Sequence, residues 1–365
     1  MGANVPGVPA LQDRYRKRSG PDQQRVLRCG LLSTQPAVAA RPTPLEVYIE
    51  PTNRCNEFCT TCPRTFFQRE PEADLDYAKF VSILDQFPGV RRVVLHGVGE
   101  PLLARELPAM VAEANHRGAQ VLFNTNALAL SPRLMRQLVD AGLDQLRVSM
   151  DAADPRTYRR IRGVNGYEKA MANTARFCAY LRERGASRPE VWLYFICMRE
   201  NLPELPAVIE RAAAIGVQAV NLQRLVYFGT GEAVESQSVF GEHGDEEVER
   251  LIDECVKVAR NVGMRLEGSG RREAEHALDR IDAHRPWSGC DRPWRSTYVT
   301  ANGNVLPCCI APFSTHDYGG IILGNLFDEP IAEIWRGDRY QKFRAQHRSD
   351  APPEPCRGCG TRWMY

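Results

Sequence analysis

The stretch "CNEFCTTC", from Cys55 to Cys62, places three thiols within eight residues of a chain that has 12 cysteines in 365 residues. At that cysteine frequency, a Cys-x3-Cys-x2-Cys run is expected by chance in about 1% of such chains. A structural zinc site is closed by four ligands, and no His or fourth Cys lies near this run. Three converging thiolates instead suit a cubane iron-sulfur cluster with one iron left open.

The run 45–51 ("LEVYIEP") just before these thiols is the first of six short apolar runs that predict strands. Helical patterns lie between them, with start signals such as Ser131-Pro132 and Asp154-Pro155. Strands that are each followed by a helix indicate a parallel α/β sheet, either an open barrel or doubly wound. The other predicted strands are 91–97, 119–126, 145–151, 190–198 and 219–226, and the predicted helices lie near 75–87, 103–117, 132–141, 155–184, 203–215 and 245–263.

The alternation of strands and helices stops near residue 265, and the remaining chain is rich in Cys, Trp, Pro and Gly. We therefore expect an N-terminal extension at 1–40, a core domain at 41–265 and a small Cys-rich domain at 266–365. In parallel barrels the working residues lie on loops at the carboxyl ends of strands, which is where residues 55–62 fall. Below, residues 55–62 are called the cluster loop and residues 266–365 the tail.

The charge balance argues against a partner that is recognised by its charge alone. The 47 Lys and Arg against 45 Asp and Glu give a formal net charge of +2, so neither nucleic acid nor a membrane is indicated. The N-terminus has no apolar core of signal-peptide length, and no stretch is long and apolar enough to span a bilayer. We expect the cytoplasm, where thiols stay reduced and clustered cysteines bind metal or do chemistry.

The spacing of the cluster loop, with Phe58 just before the second Cys, resembles the radical S-adenosylmethionine (SAM) superfamily. The resemblance implies that Cys55, Cys59 and Cys62 hold a [4Fe-4S] cluster whose fourth iron binds the amino and carboxylate groups of SAM. It further implies that one-electron cleavage of SAM yields a 5′-deoxyadenosyl radical, which takes a hydrogen atom from the substrate. The expected fold is then an open six-stranded partial TIM (β/α)6 barrel with a small Cys-rich C-terminal domain.

The segment "HGVGEPLL" (96–103), after the second predicted strand, extends the resemblance. It is similar to the Gly-Gly-Glu motif of the family and implies that Gly97, Gly99 and Glu100 lie against the SAM amino group. Glycine permits close approach of the backbone, and a carboxylate pairs with an ammonium. In isolation, "GVGEP" would be an ordinary turn from a strand into a helix.

Two further segments at strand ends resemble the family. "NTNALAL" (124–130) is similar to its Thr-Asn-Gly segment, with Ala127 in place of the glycine, and implies a cofactor contact for Asn126. After the fourth strand, Ser149 and Asp151 occupy the family's ribose-contacting positions. For Asp151, capping of the next helix is the alternative role. Four matches at successive strand ends favour the family over accident.

The tail resembles the auxiliary-cluster region of the SPASM and twitch subfamilies. Cys290 is followed after 12 residues by Gly303 and after four more by Cys308, while "PCRGC" supplies Cys356 and Cys359. The central Cys-rich run of a full SPASM domain is missing, so the resemblance implies one auxiliary [4Fe-4S] cluster on these four cysteines. Four thiolates leave its irons no open site, which favours electron transfer or structural support. A four-Cys zinc site is the alternative.

The sequence contains fewer signals for the substrate than for the cofactors. Peptide-modifying relatives often carry a leader-binding domain before the first cluster, and here 54 residues precede Cys55, which favours a small molecule. Twitch-type relatives imply oxidation of a small polar substrate, such as a sugar, cyclitol or nucleoside intermediate, through the auxiliary cluster. A reducing partner such as flavodoxin or ferredoxin is expected. Peptide or protein modification, and redox-neutral epimerisation or dehydration, are the alternatives.

Two groups of residues are candidates for contact with a polar or anionic substrate between the clusters. The first group is the segment "YFGTGEAVESQ" (227–237), and the second is the Arg-Trp set Arg285, Trp287, Arg292, Trp294 and Arg295. For both groups, packing of the tail against the barrel is the alternative role.

Cys309, beside Cys308, has three possible roles: a fourth cluster ligand, a hydrogen donor or neither.

A different class of protein also fits two groups of cysteines. Both groups would then hold zinc, and the chain would be a nucleic-acid-binding module. The near-neutral net charge and the lack of interleaved aromatic and basic residues outside the tail argue against this interpretation.

Overall fold

The computed structural model describes residues 43–239, 246–268, 287, 289–357 and 359. The predicted extension at 1–40 and Arg285 lie outside the described residues. Within the described part of the chain, every helix is too short or too polar to cross a lipid bilayer.

All six predicted strands form, and neighbours in the chain pair in parallel. Each strand ends earlier than the apolar run that predicted it, because the last residues of the run enter the loop at its carboxyl end. The α/β fold with a mostly parallel sheet is therefore confirmed. The six strands are β1 (Glu46–Ile49), β2 (Arg92–Val94), β3 (Gln120–Thr125), β4 (Gln145–Ser149), β5 (Glu190–Cys197) and β6 (Ala219–Arg224).

The sheet has ten strands among the described residues, four more than the sequence predicts. β7 (Arg265–Gly268) pairs in parallel with β6, and β8 (Ser296–Val299) pairs in parallel with β1. β9 (Asn304–Leu306) and β10 (Gly324–Asn325) add antiparallel pairs beyond β8. The sheet thus continues across the predicted boundary near 265, and the domain limits themselves stay a prediction.

With the exception of the region 155–184, the connecting helices lie where the periodicity predicts them, and two of the helix starts have the expected caps. The Ser131 side chain accepts a hydrogen bond from Leu134 N at 3.3 Å, and Asp154 accepts one from Arg156 N at 2.8 Å. The helices are α1 (Tyr77–Asp85), α2 (Leu107–His116), α3 (Pro132–Asp140), α4 (Pro155–Arg162), α5 (Tyr167–Glu183), α6 (Leu205–Ile215) and α7 (Glu246–Asn261).

The single helix predicted over 155–184 is wrong, because the chain forms α4 and α5 with a break between them. Gly163 adopts φ +74° and ends α4, since a residue in the left-handed region cannot continue a right-handed helix. A side chain at this position would also collide with the backbone of Phe58. The break therefore lets the cluster loop pack closely against the end of α4.

Alternate residues of each strand face opposite sides of the sheet. Val47 and Ile49 are fully buried in the large core between the sheet and the helices. Tyr48 belongs to a second, smaller apolar cluster, which also contains Tyr298 from β8. Glu46 shares the side of Tyr48, so that side of the sheet carries charged as well as aromatic groups. This polar face is the one that lines the site described next.

The described residues of the tail from 289 onward fold onto the β1 edge of the sheet. Trp335 is fully buried and stacks edge-on against Tyr340, with ring centroids 4.6 Å apart. Arg344 lies over both rings and donates hydrogen bonds to the carbonyl oxygens of Pro293 and Trp335. The helices of the tail are α8 (Arg292–Arg295), α9 (Ile331–Arg336), α10 (Asp338–His347) and α11 (Glu354–Arg357).

Candidate active site

The loops at the carboxyl ends of β1 to β4 meet around one cavity of about 530 Å³. Parallel strands bring their carboxyl ends to the same edge, so segments far apart in the chain become neighbours. Eight of the predicted site residues line this cavity: Cys55, Cys59, Cys62, Gly97, Gly99, Glu100, Asn126 and Ser149.

Backbone hydrogen bonds fix the cluster loop to the end of α4. Phe58 N and Thr60 N donate to the carbonyl oxygens of Arg162 and Ile161, at 3.2 and 2.8 Å. Within the loop, Cys62 N donates to Cys59 O at 3.1 Å. The three thiols are thereby held on one wall of the cavity.

The surroundings of the three thiols fit an anionic metal cluster. Burial raises the pKa of Cys55 to about 12 and also raises the pKa of Cys59 and of Cys62. Arg162 opposes this effect at Cys59, with its Nη1 atom 3.8 Å from Cys59 Sγ. The thiolate is the form that binds metal, and a bound cation compensates for the cost of burying it. Buried thiols beside a guanidinium are therefore suited to a cluster with net negative charge.

Glu100 is buried at the edge of the cavity, and its carboxylate already accepts three hydrogen bonds. The donors are Thr125 Oγ1 at 2.6 Å, Asn126 N at 2.7 Å and Leu102 N at 3.0 Å. Burial nevertheless raises the pKa of Glu100 to about 7. An ionised carboxylate has about four acceptor sites, so one more donor can be accommodated. A cationic donor would lower this pKa by favouring the charged form.

The two glycines of the "HGVGEPLL" segment allow close packing of protein against protein. A Cβ atom at Gly97 would collide with Glu50 Oε1 and Tyr298 Oη, and one at Gly99 with the carbonyl of Thr52. These contacts bring the loop after β2 against β1 and β8. Both glycines also line the cavity, so their contact with SAM stays a prediction beside this packing role.

Asn126 is held by hydrogen bonds across the top of the sheet. Its Nδ2 atom donates to Asn56 Oδ1 at 2.8 Å, and its Oδ1 atom accepts from Leu128 N at 3.0 Å. The next residue, Ala127, has φ +59°, which is the left-handed conformation that glycine adopts most easily. The family's glycine at this position therefore has a conformational reason, and the chain here keeps the conformation with an alanine.

Asp151 differs from the other predicted site residues because it lies behind the cavity wall. It is fully buried, forms an ion pair with Arg162 and accepts a hydrogen bond from Ile196 N at 2.8 Å. Asp154, rather than Asp151, caps α4. Ser149 lines the cavity. A ribose contact of either residue stays a prediction.

The four predicted tail ligands lie close enough to affect one another. Burial raises the pKa of Cys356, and the other three thiols raise it further. Burial likewise raises the pKa of Cys290 to about 12, and Cys359 contributes to this increase. Like charges so close together are unfavourable until a metal compensates for them. The four thiols are thus near enough for their charges to interact, and their ligation of one shared cluster stays a prediction.

Cys309 lines the cavity, which none of the four predicted tail ligands does, and it also raises the pKa of the neighbouring Cys308. Arg292 Nη1 lies 2.7 Å from its sulfur. Cys309 is therefore placed between the tail thiols, which begin at its neighbour Cys308, and the open space that faces the cluster loop.

Arg69 ties the segment after the cluster loop to the tail. Its guanidinium donates to the carbonyl oxygens of Pro312 and Thr315, the latter at 2.5 Å. It also lies over the rings of Phe67 and Tyr318, 5.3 Å from each centroid. The two cysteine groups thus belong to one connected structure.

The segment 227–237, proposed to face the substrate, packs against the cluster loop and does not line the cavity. Phe228 contacts the rings of Phe66 and Phe67, and Glu232 N donates to Thr60 O at 3.0 Å. A Cβ atom at Gly231 would collide with the same carbonyl. The segment therefore has a packing role beside the cluster loop, and its contact with a substrate stays a prediction.

The Arg-Trp group divides between the two roles considered for it. Arg292 and Arg295 line the cavity. Trp294 packs on the tail, where its ring lies 5.3 Å from that of His347 and beneath the guanidinium of Arg348. Helix α8 therefore presents cations to the cavity and an aromatic ring to the tail.

The sequence reasoning missed a set of polar side chains on the inner strands. Arg92 and His96 flank Val94, and Arg147 precedes Ser149 by two residues, so each pair shares one face of its strand. Arg92, His96 and Arg147 line the cavity together with Tyr194 from β5 and with Ser149, which was predicted as a site residue. The alternation of polar and apolar residues in "QLRVSM" was the available signal for Arg147, whereas "RRVVLH" has three consecutive apolar residues and gave no such signal.

Two domain families match the chain. Residues 49–221 match the radical SAM superfamily, and residues 290–360 match SPASM, described as an iron-sulfur cluster-binding domain. The first match contains the cluster loop and the three other motif segments, and the second contains the four tail cysteines. The second match also supports an iron-sulfur cluster over zinc in the tail.

Several curated proteins are similar over most of the chain. The PqqA peptide cyclase of Granulibacter bethesdensis is 26% identical over 87% of this chain and 80% of its own length. That of Xanthomonas campestris pv. campestris is 28% identical, covering 88% and 80%. A tungsten-containing aldehyde ferredoxin oxidoreductase cofactor-modifying protein of Pyrococcus furiosus is 26% identical over 87% of both chains.

Solved structures share the fold. Streptococcus suis SuiB bound to S-adenosylmethionine superposes with a TM-score of 0.64 at 16% identity, covering 84% of this chain and 68% of that chain. SuiB bound to its precursor peptide SuiA gives a TM-score of 0.64 at 15% identity, with 93% and 80% covered. At these identities the likeness concerns the fold.

Proposed function

Since this chain belongs to the radical SAM superfamily and carries a SPASM domain, we propose that it is a radical SAM enzyme that modifies a peptide or protein substrate. The observation that carries this proposal is its similarity, over 87% to 88% of its length, to PqqA peptide cyclases. The expectation of a small sugar-like substrate rested on the short segment before Cys55. The relatives favour the peptide alternative instead.

The cofactors are a [4Fe-4S] cluster with SAM, and an auxiliary iron-sulfur cluster in the SPASM domain. We assign the first to Cys55, Cys59 and Cys62, and the second to the four tail cysteines. The first group supplies, when bound and reduced, the 5′-deoxyadenosyl radical that abstracts hydrogen from substrate, and the second offers an acceptor for an electron. We expect a flavodoxin or ferredoxin as reductant, in the cytoplasm.

The chain's own residues have three tasks in this proposal. Glu100 accepts a hydrogen bond from the SAM ammonium, for which its carboxylate has an acceptor site left. Arg162 balances the negative charge of the cluster loop through its contacts to Cys59 and Glu57. Asp151 acts as a positioning residue for Arg162, since its ion pair holds the guanidinium at the end of α4.

Size and chemistry of the substrate can be tested without knowing its sequence. An extract of the source organism grown in D2O is divided into a small-molecule fraction and a peptide fraction. Each is offered anaerobically to the reconstituted enzyme with SAM and dithionite, and deuterium in 5′-deoxyadenosine is measured by mass spectrometry. We expect label from the peptide fraction, and we expect protease treatment of that fraction to abolish it.

The control is the variant in which Cys55, Cys59 and Cys62 are all Ala, which should transfer no deuterium from either fraction. Label that comes from the small-molecule fraction and survives protease would contradict the peptide proposal. It would return the chain to the small polar substrate expected from its sequence.

A further inference from the structure

The inner wall of the cavity carries two guanidinium groups below the predicted cofactor residues. Arg92 of β2 and Arg147 of β4 line the same cavity as Glu100 and Ser149. Arg147 precedes Ser149 by two strand residues, a rise of about 7 Å toward the amino end. The two arginines therefore lie deeper in the barrel than the side chains assigned to SAM.

These two cations have little negative charge to balance them. Arg92 Nη1 lies 3.9 Å from Glu46 Oε2, and the Nε atom of Arg92 is buried without a hydrogen-bond partner among the described residues. Arg147 Nε donates to the neutral amide oxygen of Gln145 at 2.6 Å, and its guanidinium lies 4.9 Å from the centroid of the Tyr194 ring. Two arginines that share one carboxylate leave a net charge of +1.

Three of the neighbouring titratable groups, one imidazole and two phenols, do not supply the missing anion, and the Glu267 carboxylate acts on Tyr194, whose pKa it raises. His96 accepts a hydrogen bond at Nδ1 from Asn124 N, and burial together with the charges of Arg147 and Arg92 lowers its pKa to about 3. It is therefore neutral, with its proton on Nε2. Burial also raises the pKa of Tyr48 and of Tyr194, so both phenols keep their protons. Burial, the largest cause, and the charge of Arg92 lower the pKa of Arg147, while Tyr194, Tyr48 and Glu46 act in the opposite direction.

We propose that Arg92 and Arg147 bind a carboxylate of the substrate, and thereby fix which of its carbon atoms faces the SAM end of the cavity. This inference rests on the proposed modification of a peptide, whose carboxylates are acidic side chains and the C-terminus. A guanidinium binds a carboxylate with two parallel hydrogen bonds, which fixes orientation as well as affinity. A single carboxylate also neutralises the +1 charge of the Arg92, Arg147 and Glu46 group.

Binding of defined peptides to the anaerobic enzyme with SAM and without reductant tests this proposal. The probes are N-acetyl-Gly-Glu-Gly-amide and its Gln counterpart for the side chain, and N-acetyl-Gly-Gly-Gly as free acid and as amide for the C-terminus. Calorimetry should show that at least one acid binds about tenfold tighter than its neutral partner, the factor expected for a charge-assisted contact. The pair with the larger ratio identifies the source of the carboxylate.

Three variants give the test its direction. Arg92→Gln and Arg147→Gln should each reduce the acid preference to about threefold or less, while the affinity for SAM stays unchanged. Glu46→Gln removes the competing carboxylate and should raise the preference, which a misfolded protein would not do. Arg156→Gln, on the exposed face of α4 with 94% of its side chain exposed, is the matched control and should keep the wild-type ratio.

Equal affinity of acid and neutral peptides in the wild type would overturn the proposal, and so would an unchanged preference in both arginine variants. These measurements involve no turnover, so they are independent of the deuterium experiment. Deuterium that comes only from the small-molecule fraction would contradict the peptide function, but the proposed carboxylate site could still be supported by the binding data. Deuterium from the peptide fraction, combined with equal affinity for acid and neutral peptides, would support the peptide function and overturn the carboxylate site.

Discussion

Arg162 and Asp151 form an ion pair, with 2.5 Å between Nη2 and Oδ2, in which both side chains are almost completely removed from solvent. The pair joins the end of α4 to the loop after β4. Arg162 also lies 3.6 Å from Glu57 Oε2 and 3.8 Å from Cys59 Sγ. One guanidinium thus connects two strand-end loops, and its removal would leave two buried carboxylates without a cation.

The first prediction concerns this ion pair. Arg162→Gln should lower the free energy of unfolding by about 3 to 5 kcal/mol, because breaking a buried pair from one side leaves an uncompensated charge. The double variant Arg162→Gln with Asp151→Asn should recover part of the loss. Urea denaturation measures both, and Arg156→Gln, exposed on the same helix, should change stability by less than about 0.5 kcal/mol. Equal losses in the single and double variants would argue against the pairing.

The second prediction concerns the iron content. Anaerobically reconstituted protein should hold roughly eight irons per chain, from two cubanes ligated by thiolates. Replacing Cys55, Cys59 and Cys62 together with Ala should remove about half of the iron and abolish SAM cleavage, because these thiols are the proposed ligands of one cubane. Iron analysis and chromatography of 5′-deoxyadenosine are the measurements. A triple variant that still cleaves SAM would refute the assignment.

The third prediction concerns Glu100. Glu100→Gln keeps the shape of the side chain but loses the charge-assisted part of a hydrogen bond to the SAM ammonium, a class of contact worth roughly 1.5 to 3 kcal/mol. Affinity for SAM should fall about tenfold or more, measured by equilibrium dialysis. Iron content serves as the control and should stay constant. With unchanged SAM affinity, "HGVGEPLL" would be a turn and no more.

The fourth prediction separates the two cysteine groups by role. Cys356→Ala with Cys359→Ala should leave reductive SAM cleavage largely intact, because the cluster loop is untouched, yet suppress oxidised product, because an electron acceptor is lost. Loss of a metal site loosens structure as well, so circular dichroism and SAM binding must accompany the assay. Product at the wild-type rate from the folded double variant would favour a redox-neutral reaction such as epimerisation or dehydration.

The fifth prediction concerns Glu50, whose buried carboxylate accepts hydrogen bonds from Val98 N, Tyr298 Oη and Ala301 N. Burial raises its pKa to about 7 from an ordinary value near 4.5. The folded state therefore holds this proton more tightly than the unfolded state does. The resulting contribution to stability is complete below about pH 4.5 and is lost as the pH rises through about 7.

Glu50→Gln removes this titration, because the amide cannot ionise. The stability of the variant relative to the wild type should therefore rise between about pH 5 and about pH 8, by at most about 3 kcal/mol at 1.36 kcal/mol per pKa unit. Urea denaturation across this range measures the difference, whose trend is independent of any constant cost of the substitution. A difference that does not vary with pH would show that Glu50 has an ordinary pKa.

The sequence predicted those parts of the site that depend on local pattern. The cluster loop, Glu100 and Asn126 follow strands with clear apolar runs, and parallel strands bring their ends together. β8 escaped prediction because its four residues, "STYV", are too short to show a periodicity and owe their place to pairing with β1. The Asn302-Gly303 pair was a hairpin signal between β8 and β9, and Gly303 has φ +83° as such a turn requires.

The position of Asp151 could not be predicted from its motif. Sequence spacing places it at the end of a strand, where a side chain can face the cavity or the wall behind it. Its direction follows from Arg162, which is 11 residues away at the last position of α4 and is buried against Asp151. Contacts of this kind depend on the tertiary structure and leave no mark on local pattern.

The parallel pairing of β8 with β1 has a consequence for the first half of the chain. Without the tail, β1 would become an edge strand with unpaired backbone groups beside the three thiols. Such an edge can pair with another molecule and lead to aggregation. Proteins cover edge strands in several ways, and here the cover is the same polypeptide segment that carries the second group of cysteines. We therefore expect the first half of the chain, produced without the tail, to aggregate more readily than the full chain, whatever part the tail has in the chemistry.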